Sequence, residues 1–328
     1  MSNFYLIAAS SAIFFSIYFK KEVIAKKLGL VDVPDKKLKK HKKNTSVIGG
    51  VLFTIITILI LGFYIYEKNI LFIKILLLSL TCSIVGIVDD IYKIKANPKF
   101  FFTTLILFFF LIIFPELRIK HIIFSDNFFI KHLNFENKLI LSIAITILCY
   151  QLLIHAFNMA DGHDGIASLM AFTWLAYIYF AKANFQFLVP IITALLLFIY
   201  FNLKSRIFLG DSGNYFLSTL LGSLIIFNNN TYKNFLAEEI FILLMLPGID
   251  MLRLFLTRIK NKQNPLIGDR RHLHHFLFER LNKRKTILVY FLLFITPIFF
   301  LHFKILSENY IIIFFLAIYI LIISKFKK

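Results

Sequence analysis

Apolar positions along this chain come in long unbroken blocks, not in alternation. Eleven blocks approach the roughly 17 to 25 residues that cross a hydrocarbon core of about 30 Å. They fall at 4–19, 47–66, 70–88, 100–115, 139–157, 165–182, 187–202, 213–228, 238–257, 286–302 and 309–324. Several are short, so ten is the alternative count. Backbone groups in lipid must find their partners within the segment, so evenly apolar blocks predict helices and not barrel strands. The expectation is an all-α polytopic membrane protein, one integral-membrane domain over 1–328, with no internal repeat. The first block has no basic residues before it and no small-residue cleavage site, so it is expected to remain as the first span.

Composition agrees: 59% of the 328 residues are hydrophobic, 41 are Phe, and mean hydropathy is +0.78. This excludes soluble, disordered, fibrous and disulfide-scaffold classes. The only cysteines, Cys82 and Cys149, lie inside apolar blocks, which leaves no disulfide framework or cysteine metal site. The net charge of +19 would suggest nucleic acid in a soluble protein, but here it reports orientation, and no nucleic-acid partner is expected. Of the 37 basic residues, 27 fall after the odd-numbered spans or at the C-terminus. The positive-inside rule then places the N-terminus outside and the C-terminus in the cytoplasm. The one long external loop, 116–137, carries apolar runs at 119–124 and 128–133 around Ser125-Asp-Asn127. That pattern reads as a small β-hairpin or, alternatively, as an interfacial amphipathic segment.

Four polar clusters interrupt the blocks, and all fall on the basic side: Asp89-Asp90, Asn158 to Gly165 (NMADGHDG), Gly210-Asp-Ser-Gly213, and Gly268 to His275 (GDRRHLHH). The topology count did not use them, so their convergence supports one cytoplasmic-face site. Each also has a plainer reading. Asp89-Asp90 with Lys93 could be a helix-terminal charge group, and Asp211 or Ser212 could be an N-cap. NMADGHDG could be a solvated turn, although its carboxylates and glycines suit a hard cation and a closely approached anion. His272, His274 and His275 lie among Arg270, Arg271 and Arg280, a setting that favours phosphate capture over zinc. The run Lys36 to Lys43, which includes Lys42, is a positive-inside anchor that could also attract anionic lipid or nucleotide. Asp250 and Arg253 could form a structural pair.

Through these motifs, together with Asp32-Val-Pro34, Gly49-Gly50 and Pro247 with Asp250, the chain resembles the polyprenyl-phosphate N-acetylhexosamine-1-phosphate transferases of glycosyltransferase family 4. The resemblance implies a Mg²⁺-dependent enzyme, with Mn²⁺ as the alternative, that transfers sugar 1-phosphate from a UDP-N-acetylhexosamine to polyprenyl phosphate and releases UMP. By position it implies catalytic roles for Asp89, Asp90 and Asp211, and metal contacts from Asp211 and Asp161. Substrate contacts would come from Asn158, Asp161, Asp164, Asn202, His272, His274, His275 and Lys42, with Asn202 reaching the uridine. The HLHH form resembles the N-acetylglucosamine branch, and the muramoyl-pentapeptide branch of the same family is the alternative. Membrane lipid, an inner-membrane location and a homodimer are compatible with it. His155, His163, Ser46 and Asn214 depart from the usual family pattern and bear on sugar specificity. From other classes, a transporter predicts mid-membrane charges, broken helices and repeated halves. A lipid-binding scaffold would not need four carboxylate-bearing loops on one face.

Overall fold

A computed structural model describes residues 2–33, 44–125, 130–162, 165–183, 185–263 and 271–326. A helix occupies every one of the eleven apolar blocks. In chain order these are α1 (Ser2–Phe19), α3 (Gly49–Tyr66), α4 (Ile70–Tyr92), α5 (Ala96–Ile113), α6 (Leu139–Ala160), α7 (Ile166–Tyr177), α8 (Leu188–Asn202), α9 (Gly210–Tyr232), α10 (Ala237–Lys260), α12 (Lys283–His302) and α13 (Glu308–Phe326). Two short helices, α2 (Lys21–Leu28) and α11 (Leu273–Arg280), lie in the basic connections. Among the described residues, seven helices are long and apolar enough to cross a membrane: α3, α4, α5, α6, α10, α12 and α13. The protein is therefore a helical, multi-pass membrane protein. Helix α1, helix α8 and α7 with its π-helical continuation Ile178–Lys182 are shorter apolar segments.

Helix α9 is the least apolar of the eleven because it meets protein on all sides. Every residue from Ser212 to Asn229 is buried. Its hydroxyls are satisfied locally, Ser218 donating to the Asn214 carbonyl (2.6 Å) and Ser223 to that of Thr219 (2.8 Å). Small residues set how closely its neighbours approach. A Cβ at Gly86 of α4 would stand 2.4 Å from the Ser212 Cα, and one at Gly50 of α3 would meet the Ser212 side chain at 1.9 Å. Farther along the bundle, Phe53 of α3 packs against Phe198 and Phe216 (5.6 and 5.9 Å between centroids). The buried Trp174 donates its indole N–H to the Leu243 carbonyl (2.7 Å).

Among the described residues there are also two small antiparallel ribbons. Strand β1 (Val31–Asp32) pairs with β2 (Thr45–Ser46), and β3 (His121–Ile123) pairs with β4 (His132–Asn134) in the register Ile122 to Leu133. The second is the hairpin expected in the 116–137 loop. The first has a positional role, because the Phe208 N–H donates to the Ser46 carbonyl (2.9 Å), and the Gly49 and Gly50 N–H groups donate to the carbonyls of Phe208 and Leu209. The start of α3 is thereby fastened to the loop that opens α9. Two boundaries differ from the sequence expectation. Helix α4 continues to Tyr92, placing Asp89 and Asp90 within its last turns, and α9 begins at Gly210, so Asp211 and Ser212 lie in its first turn.

Candidate active site

The end of α4 and the start of α9 meet through one carboxylate. Asp90 Oδ1 accepts the Asp211 N–H (2.9 Å), while Oδ2 accepts the Ser212 N–H (3.0 Å) and the Ser212 hydroxyl (2.6 Å). The first N–H groups of a helix have no intrahelical partner, and here α4 supplies it from 121 residues earlier in the chain. Neither Asp211 nor Ser212 is the N-cap; Leu209 holds that position, with no side-chain cap. Gly210 precedes them at φ 75°, and a Cβ there would lie 2.6 Å from Asp90 Oδ2. The turn therefore needs glycine both for its left-handed backbone and for the closeness of Asp90.

With Asp90 committed to the helix, the other two carboxylates face a lysine. Lys99 Nζ, near the start of α5, donates to Asp89 Oδ2 and to Asp211 Oδ2 (2.9 Å). The remaining oxygen, Asp89 Oδ1, is buried and has no hydrogen-bond partner among the described residues. Two carboxylates thus share one ammonium, beside the third at the positive end of a helix dipole. Sequence reasoning missed Lys99. In the sequence Lys99 is one of three lysines, with Lys93 and Lys95, in the connection before an apolar block, and nothing local distinguishes it from a positive-inside anchor.

Asp161, the residue after α6, is tied to the same helix: Asn214 Nδ2 of α9 donates to Asp161 Oδ2 (2.9 Å). Asn158 accepts the Asp161 N–H through its carbonyl. Lys42, His163 and Asp164 lie outside the described residues. Past them, Gly165 opens α7 at φ 94°, and its N–H donates to Asn202 Oδ1 (2.8 Å), which also accepts the Ser168 hydroxyl (3.1 Å). Asn202 Nδ2 donates to the Ile207 carbonyl (2.8 Å). Asn202, expected at the uridine, is buried with both amide atoms turned to protein, where it ties the loop before α7 to the loop before α9.

The histidines come from a third direction. Asp250 of α10 accepts from His272 Nδ1 (2.9 Å), Tyr319 Oη (2.7 Å), Arg253 Nη2 (2.8 Å) and the Leu273 N–H. Arg253 also donates to Tyr319 Oη and to the Arg271 carbonyl. The Asp250–Arg253 pair read from the sequence is present, and it anchors the start of α11. His274 is buried and packs against Gly162, where a Cβ would come within 1.9 Å of Nε2. Its ring lies parallel to that of His272 (5.6 Å, 1°) and 4.2 Å from that of His275. His274 is thus wedged against the turn after α6 and not displayed on the surface.

All four polar clusters are therefore joined: Asp90 to Ser212, Asn214 to Asp161, Gly162 to His274. The comparison with known proteins matches the same region. Residues 72–229, from α4 to α9, match the family model described as glycosyl transferase family 4. The chain is similar to that family over this stretch. Proteins similar to it include a probable undecaprenyl-phosphate N-acetylglucosaminyl 1-phosphate transferase of Bacillus subtilis (strain 168), 28% identical over 282 residues, covering 82% of this chain and 76% of that protein. A phospho-N-acetylmuramoyl-pentapeptide-transferase of Petrotoga mobilis is 26% identical over 263 residues, covering 77% and 82%. An undecaprenyl-phosphate alpha-N-acetylglucosaminyl 1-phosphate transferase of Thermotoga maritima is 24% identical over 271 residues, covering 81% and 79%. The family 4 match spans Asp89, Asp90, Lys99, Asp161 and Asp211 and stops before the Asp250 and histidine region.

Among the described residues, no group of three or more His, Cys, Asp or Glu side chains is arranged as a ready metal cage. The donor set still fits Mg²⁺, which takes oxygen ligands and is usually held by one or two carboxylates together with substrate phosphates and water. Asp211 and the unpartnered oxygen of Asp89 supply such donors. Asp161 supplies another, with one oxygen already accepting from Asn214.

Proposed function

We propose that this protein transfers N-acetylhexosamine 1-phosphate from a UDP-sugar to polyprenyl phosphate, forming a lipid-linked sugar and UMP. The observation that carries the reading is the incomplete carboxylate cluster of Asp89, Asp211 and Lys99, in a chain similar to glycosyl transferase family 4 over that stretch. In this reading one transferase domain spans 1–328, all eleven helical blocks cross the inner membrane, the N-terminus is external and the cluster faces the cytoplasm. Single cysteines near Asn44 and Lys262 should then resist impermeant thiol reagents in intact cells, and the reverse pattern would sink the orientation.

An acceptor phosphate oxygen attacks the β-phosphorus of the donor, and the bond to the UMP oxygen breaks. A phosphate monoester has a second pKa near 6 and is mostly dianionic at neutral pH, so no strong general base is required. Positioning and charge neutralisation carry the rate. Lys99 meets the acceptor phosphate and Asp89 orients it, while Asp90 fixes the start of α9 so that Asp211 keeps its place. Asp161 and Asn158 face the diphosphate, Asn202 holds the loops around the nucleotide, and His272, His274 and His275 approach the donor from α11. Mg²⁺, held by Asp211 with Asp89 or Asp161, would offset charge on the donor diphosphate.

The test is UMP release by the purified protein with polyprenyl phosphate and a donor panel, with and without chelator. Mg²⁺-dependent release with UDP-N-acetylglucosamine or UDP-N-acetylgalactosamine supports the reading. Release only with UDP-N-acetylmuramoyl-pentapeptide would move the protein to the other branch, and no release with any donor would overturn the function.

A further inference from the structure

His155 of α6 lies one turn before Asn158 on the side that meets α5. Its ring runs nearly parallel to that of Phe100, with centroids 6.0 Å apart and planes 14° from each other. One turn earlier, Gln151 donates from Nε2 to the hydroxyls of Thr103 (2.8 Å) and Thr104 (2.9 Å), which locks the seam between the two helices. Phe100 directly follows Lys99, and the charges of both Lys99 and Asp211 act on the imidazole. Yet His155 Nε2 is buried and has no hydrogen-bond partner among the described residues. A buried polar atom is normally paired, and an exception calls for something that completes it.

The surroundings say what kind of molecule does so. Helix α5 is the least buried of the seven membrane-length helices, and Phe100, Phe101, Phe102, Phe108 and Phe109 are exposed along it. A phosphate carrying an isoprenoid tail can lay that tail on the phenylalanine surface and bring its head to Lys99. The groups assigned to the donor, Asp161 and His274, meet the site from the turn after α6 and from α11 instead.

We propose that His155 binds the acceptor, its Nε2–H donating to a non-bridging oxygen of the polyprenyl phosphate beside Lys99. The assignment rests on the transferase reading given above. Full-length protein carrying His155→Phe keeps a ring against Phe100 without a donor, and His155→Gln keeps a donor. His155→Phe should raise the KM for polyprenyl phosphate by about tenfold or more, the scale of one hydrogen bond to a charged group, with the UDP-sugar KM unchanged. His155→Gln should recover most of that loss. An unchanged acceptor KM in His155→Phe, a parallel rise in both KM values, or no recovery in His155→Gln would overturn the assignment. If His155→Phe does not fold, His155→Met carries the same comparison. Failure of both apolar variants to fold overturns it too, because the fold itself would then require the nitrogen. Should the wild-type protein release no UMP from any donor, the transferase reading fails separately. Equilibrium binding of polyprenyl phosphate then decides: weaker binding by His155→Phe supports the assignment, and equal binding, or none to wild type, refutes it.

Discussion

Two buried acidic networks, linked through the contact of Gly162 with His274, differ in how completely their oxygens are used. At Asp250, an arginine, a tyrosine, a histidine and a backbone N–H converge on one carboxylate, and the Arg253 charge balances it. At the other network, Asp90 is committed to the start of α9, Asp89 and Asp211 share the ammonium of Lys99, and Asp89 Oδ1 has no donor among the described residues. A closed network holds a loop in place. An open one, with more negative charge than its protein partners neutralise, costs free energy until a ligand or cation completes it. The difference separates a frame from a site, although both are built from buried aspartates at helix ends.

The sharpest way to break this comparison is Asp211→Asn, which keeps shape and hydrogen bonding and removes the charge. Turnover should fall at least about a hundredfold, the scale of a lost electrostatic contact at a reacting centre. The thermal midpoint and the protease resistance of the α10–α12 connection should hold. Near-normal, Mg²⁺-dependent turnover would reduce Asp211 to a residue that only starts a helix.

Asp250→Asn attacks the closed network. Leaving Arg253 without its buried counter-charge should cost about 3–5 kcal/mol, read as a lower thermal midpoint and faster proteolysis between α10 and α12. As His272 loosens, the donor KM should rise by about tenfold, the scale of one charge-assisted hydrogen bond, and acceptor saturation should change little. Stability equal to wild type would show that the network is not a frame.

Tyr319→Phe is the gentlest probe, removing one hydroxyl that donates to Asp250 and accepts from Arg253. A loss of about 1 kcal/mol in stability is expected, with little change in turnover. A fall in activity comparable to that of Asp211→Asn would mean that the Asp250 network takes part in the reaction.

Much of this arrangement was legible before any coordinates. Two apolar runs around a turn between residues 116 and 137 suggested a hairpin or an interfacial segment, and the pairing of β3 with β4 decided for the hairpin. The convergence of four clusters followed from counting which ends of successive apolar blocks carry polar residues. The division of work between Asp89 and Asp90 could not be read that way. Neighbours on a helix point about 100° apart, so one carboxylate faces the start of α9 and the other faces Lys99, and only the packing of α4 says which. The bonds by which Asn202 ties two loops together, and the part played by Tyr319, escaped for a related reason. Both residues lie in apolar helices, with partners 37 and 69 residues away.

By itself, then, the sequence determined the helical, multi-pass membrane architecture and the set of motifs that could carry chemistry. Both follow from local quantities, namely the apolar length of a segment and the residue types at its ends. Tertiary structure decided which polar atoms are satisfied and which wait for a partner. It placed Asp90 as the brace of α9, His274 as a wedge against Gly162, and Lys99 between two carboxylates. Hydrogen bonds and ion pairs are short and directional, so their completion depends on the distance and rotation between helices far apart in the chain, a quantity that no local pattern encodes.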